Sequence, residues 1–107
     1  VRLSDAGATV TYSGDTGPGG DLIELATGSD ALLCEASLQG VRDASTYEYH
    51  LTAVEAAEIA AVASVGELIL THIPFTLDPQ LSIDQASSAF VGPPISYAAP
   101  DTTFMWE

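Results

Sequence analysis

The sequence predicts an α/β fold, with parallel strands covered by helices. Two observations carry the prediction. The short continuous apolar runs Ala31-Leu32-Leu33-Cys34 and Leu68-Ile69-Leu70 read as strands buried on both faces. Helix signals fall between such runs, and that alternation belongs to βαβ units. At 107 residues the chain has room for one domain, and no repeat, low-complexity tract or linker divides it.

Val10-Thr11-Tyr12-Ser13 is short, β-prone and stopped by Gly14, so it is the first predicted strand. Thr16-Gly17-Pro18-Gly19-Gly20 is a loop. Asp21 with Glu24 three residues on starts a helix through Leu22, Ile23, Leu25 and Ala26, and Gly28 ends it. Ala31 to Glu35 is the second strand. Residues 36 to 50 keep no period and form the longest irregular stretch, of the kind that more often carries function than not.

Thr52-Ala53-Val54-Glu55 is a capping box, in which hydroxyl and carboxylate each serve a free amide of the first turn. The helix it opens runs from Ala53 to about Ser64. Its alanines let it sit close on a sheet, and Gly66 is expected to close it. Leu68-Ile69-Leu70 is the third strand. Asp78-Pro79 is an N-cap followed by proline at the first helical position. Leu81, Ile83, Ala86, Ala89 and Phe90 then supply an imperfect apolar stripe. After Gly92-Pro93-Pro94, Ile95 to Ala98 and Thr102 to Trp106 read as closing strands. The first strand is expected at an open edge, leaving an isolated chain poorly stable and prone to associate, with a homodimer left open.

Fifteen acids against two arginines give −13 at pH 7. Nucleic-acid binding normally depends on Lys and Arg displacing counterions from phosphates, so this charge gives it no support. No apolar run approaches the roughly 20 residues that cross a bilayer, and no membrane partner is expected. The one cysteine, Cys34, lies in an apolar run and cannot pair within the chain, which suits a buried inert thiol and a cytoplasmic location.

Chemistry in open α/β sheets collects at the carboxyl ends of the strands. Asp15 and His72 each stand just past a predicted strand. An aspartate between glycine and threonine is commonly a turn residue or cap. A histidine after Leu-Ile-Leu-Thr is commonly a hydrogen-bonded one at the edge of the core, here exposed because Pro74 turns the chain away. Together they offer the oxygen and nitrogen donors that a catalytic metal takes. His50, just before the cap Thr52, is either a surface-loop histidine or a proton-transfer group.

Tyr12-Ser13-Gly14-Asp15-Thr16, Leu32-Leu33-Cys34-Glu35-Ala36-Ser37, His50-Leu51-Thr52 with Glu55-Ala56-Ala57, and Leu70-Thr71-His72-Ile73-Pro74, in that order, resemble the metallo-β-lactamase-fold phosphodiesterases. That group includes ribonuclease Z and hydrolases of cyclic nucleotides. The resemblance covers roughly residues 9 to 106. It implies the second half of a four-layer αββα fold, with residues 1–107 the C-terminal part of a single domain whose N-terminal half is absent. It also implies two zinc ions (manganese being the alternative), bridged by Asp15 and ligated by His72. His50 becomes the proton donor or a stabiliser of charge at phosphorus. Glu35 becomes an anchor behind a ligand, or else a strand-end acid held by nearby amides. The function implied is hydrolysis of a small phosphodiester, a cyclic nucleotide or an RNA 3′ end, by a metal-bound hydroxide. The family's His-x-His-x-Asp-His cluster is missing, so this chain alone is expected to be inactive. Two alternatives stand beside this one: a non-catalytic half-fold that pairs with a partner chain, and a glyoxalase- or lactamase-type hydrolase.

Overall fold

The computed structural model describes residues 2–5, 8–13, 20–40, 51–74 and 76–98. Along the chain come β1 (Arg2–Asp5), β2 (Ala8–Tyr12), α1 (Gly20–Ala26), β3 (Ala31–Glu35), α2 (Ala53–Ala63), β4 (Leu68–Thr71), α3 (Pro79–Ser87) and β5 (Ile95–Tyr97). The strands form one sheet in chain order, β1-β2-β3-β4-β5. β2 through β5 are parallel, and β1 pairs antiparallel with β2, Arg2 opposite Thr11. The α/β class is as the sequence predicts.

β1 corrects one expectation. The strand taken for an open edge is covered, because residues 2–5 fold back along it. The predicted strand Thr102 to Trp106 lies outside the described residues.

Register and burial place the core on one face. Leu32, Cys34, Leu68 and Leu70 pack with the helices, and Ile95 and Tyr97 join from β5. The three crossovers step the same way across the sheet, which puts α1, α2 and α3 in one layer. α2 fits closely because Ala53, Ala56, Ala57, Ala60 and Ala63 are all buried, with Ile59 between them. Leu32, Leu68 and Leu70 are fully buried; burying each side chain contributes about 1.5–3 kcal/mol. The alternate residues Val10, Tyr12, Leu33 and Ile69 point to the other face, where Val10, Tyr12 and Leu33 stay partly exposed.

The predicted capping box is present. Thr52 Oγ1 accepts from Glu55 N at 3.1 Å, and Glu55 Oε1 accepts from Thr52 N at 2.8 Å. The other end differs from expectation. Ser64, at φ 56°, makes the left-handed turn that closes α2. Gly66 serves a close approach instead: a Cβ there would lie 2.6 Å from the Asp30 carbonyl oxygen. Asp78 caps α3 through Gln80 N at 3.0 Å, ahead of Pro79 as read from the sequence. Among the described residues no helix is long and apolar enough to cross a membrane.

Candidate metal and catalytic site

Because β2 to β5 are parallel, their carboxyl ends share one edge, and backbone bonds stitch those ends together. Ser13 N donates to Leu33 O at 2.9 Å, Ala36 N to Thr71 O at 2.9 Å, and Ala98 N to Leu70 O at 2.8 Å. The Ser13 hydroxyl adds a side-chain tie, accepting from Glu35 N at 2.9 Å. Side chains leaving this edge therefore start from a braced frame.

His72 is the first residue beyond β4 and is exposed. Its backbone is left-handed, φ 58°, one of two such non-glycine residues among those described. A Cβ in that region crowds the following carbonyl, at a cost of roughly 1–2 kcal/mol. The imidazole stands edge-on to the Tyr12 ring, with centroids 6.4 Å apart and planes at 83°. His72 thus sits beside the end of β2, the strand that leads towards Asp15. Asp15 and His50 both lie outside the described residues.

Glu35, at the end of β3, is fully buried. One carboxylate oxygen accepts from Leu51 N at 2.7 Å; the other accepts from Ser37 N and Ser37 Oγ, both at 3.0 Å. Burying an ionised carboxylate is costly unless donors surround it, and these three serve that purpose. These contacts are those of a strand-end acid held by nearby amides, and they do not bear on the reading of Glu35 as an anchor behind a ligand. The contact to Leu51 also has reach. That N–H belongs to the peptide joining residues 50 and 51, so Glu35 holds the backbone at the residue that follows His50 in sequence.

Gln39 and Gly40, which precede residues 41–50, are held by side-chain contacts as well. Gln39 Nε2 donates to Asp78 O at 2.8 Å and to the buried Ser82 hydroxyl at 2.9 Å, and Gly40 N donates to Gln85 Oε1 at 3.0 Å. Leu38 N donates to Leu51 O at 3.2 Å, which brings residues 38 and 51 together. Sequence reasoning did not single out Gln39, Gln85 or the Tyr12 ring for these roles, because each contact joins residues far apart in the chain.

Cys34 faces the helix-side core, and burial pushes its thiol up to about 12, outweighing the opposing hydrogen bond to Ser13. It remains a protonated, inert thiol at neutral pH. Among the described residues no three His, Cys, Asp or Glu side chains come together to hold a metal. The exposed His72 imidazole on this edge is a donor of the kind zinc takes.

Residues 1–73 match the β-lactamase superfamily domain. An uncharacterised protein of Mycobacterium leprae (strain TN) is 46% identical over 94 residues, 87% of this chain and 33% of its own length. A ribonuclease Z of Methanothermobacter thermautotrophicus is 47% identical over 68 residues, 63% of this chain and 22% of its own length. The crystal structure of the metallo-β-lactamase fold protein YhfI from Bacillus subtilis superposes with a TM-score of 0.82 at 28% identity, covering 91% of this chain and 39% of that one. The chain spans between about a fifth and two fifths of the length of the curated relatives it matches.

Proposed function

Since the chain belongs to the β-lactamase superfamily, with a metallo-β-lactamase fold and ribonuclease Z relatives, we propose that it is the carboxyl-terminal part of a zinc-dependent phosphodiesterase domain. The observation that carries this reading is the exposed, left-handed His72 at the carboxyl edge, beside the strand end that leads to Asp15. His72 would hold a metal through a ring nitrogen, and Asp15 through a carboxylate able to span two ions. When bound, zinc supplies a Lewis acid to phosphoryl oxygen and to water.

The remaining work falls to this chain's own groups. His50 delivers a proton to the departing alkoxide oxygen, the task to which an imidazole is best matched near neutrality. Glu35 fixes the backbone at Leu51, and the capping box fixes Thr52, the two residues that follow His50 in sequence. The net charge of −13 favours a small phosphodiester over RNA, since it repels a phosphate chain.

The test is His50→Ala in the full-length encoded protein. Metal content stays at the wild-type level, while turnover of an alkyl phosphodiester falls by about 10²–10⁴-fold, the usual contribution of a general acid. The loss is smaller on a nitrophenyl diester, whose leaving group departs without a proton. Equal losses on both substrates would remove the proton-donor role, and loss of metal would show His50 to be a ligand.

A further inference from the structure

We infer that Tyr12 is a positioning residue for the His72 imidazole, its ring fixing the direction in which His72 presents a ring nitrogen. The inference rests on His72 being a metal ligand.

A histidine just past a strand has two sources of freedom, its backbone and its side-chain torsions. At φ 58° the backbone of His72 is held away from the broad β region, and this sets the Cα–Cβ direction. The backbone setting does not by itself fix the two side-chain torsions of the imidazole. The Tyr12 ring removes part of that freedom: at 6.4 Å and 83° the pair has the edge-to-face arrangement that aromatic quadrupoles prefer.

Tyr12 is itself well placed to act as a wall. It closes β2, paired in register with Leu33, and the next residue is bonded to β3 through both its backbone N–H and its hydroxyl. Its ring is therefore carried by the sheet rather than by a loop, and rigid elements hold site geometry best. Asp15, the other proposed ligand, follows Tyr12 by three positions in the sequence. Hydrogen-bonded partners that orient a ligating histidine change metal affinity by about 10–100-fold when removed, and a ring contact such as this one belongs at the low end of that range.

The experiment compares zinc affinity in the full-length encoded protein, stripped of metal and titrated against a competing chromophoric chelator, for wild type, Tyr12→Phe, Tyr12→Leu and His72→Ala. Tyr12→Phe keeps the ring and should bind zinc within about twofold of wild type. Tyr12→Leu keeps apolar bulk without the ring and should bind about 10-fold more weakly, the low end of that range. Thermal unfolding of the metal-free variants is followed in parallel, because a merely structural tyrosine would lower the melting temperature without moving the affinity of the folded protein. Nuclear Overhauser contacts between the two rings in the metal-free wild type give a readout independent of any variant's folding, and they should be present. The inference is overturned if Tyr12→Leu binds like wild type while His72→Ala does not, if Tyr12→Phe is weakened as much as Tyr12→Leu, or if the ring contacts are missing. Wild-type affinity in His72→Ala would overturn the metal reading itself, which separates the two failures.

Discussion

The left-handed backbone at His72 predicts an inverted order of stability for two variants, His72→Gly and His72→Ala. Both remove the imidazole, its contact with Tyr12 and any metal bond, so their difference isolates the backbone. In ordinary extended or helical backbone, glycine is the worse choice by roughly 0.5–1 kcal/mol, because its unfolded chain has more freedom to lose. At φ 58° alanine instead carries the steric cost of a Cβ, roughly 1–2 kcal/mol, which glycine escapes. With the entropic term offsetting part of this, His72→Gly should be the more stable by about 0.5–1 kcal/mol. Urea unfolding of the metal-free protein reads that difference as a higher midpoint at unchanged slope. If His72→Ala equals or exceeds His72→Gly, the residue is not left-handed and carries no backbone strain.

Removal of the Glu35 side chain should be the most damaging single change at the edge. Glu35→Ala strands the Leu51 N–H and the two Ser37 donors, at about 1–3 kcal/mol for each that stays buried; hydrogen exchange at the Leu51 amide should quicken, and an unchanged rate would mean another acceptor holds it. Cys34 predicts an alkaline limit to stability. Its thiol is raised from 9.0 to about 12 in the folded chain, so the unfolded chain loses the proton first. The contribution is present below pH 9 and is lost as pH rises towards 12, with roughly 1 kcal/mol of it gone by pH 10. Cys34→Ala should flatten this slope, and an identical slope in the variant would assign it to other groups.

Local signals in the sequence were reliable where one segment carried its own chemistry. Thr52 and Glu55 announced both bonds of the capping box, Asp78-Pro79 announced a cap, and the runs around Leu32 and Ile69 announced strands. β1 escaped because Arg2-Leu3-Ser4-Asp5 has no apolar run and becomes a strand only by pairing with β2. Gly66 misled because glycine signals both a left-handed turn and a close approach, and only the position of the Asp30 carbonyl distinguishes them. At the site, Pro74 pointed to an exposed His72. The histidine's backbone angle and its tyrosine neighbour, 60 positions away, depend on the folded sheet. Glu35 was singled out, but its donors at Leu51 and Ser37 could not be read from spacing.

The central claim, that Asp15 and His72 hold zinc for phosphodiester hydrolysis, is tested most directly by counting metal. Zinc per chain is measured in the full-length encoded protein and in its Asp15→Ala and His72→Ala variants, alongside hydrolysis of bis(nitrophenyl) phosphate. The account predicts bound zinc in the wild type, less zinc in both variants, and hydrolysis that falls with metal content. Wild-type zinc and wild-type hydrolysis in both variants would contradict it.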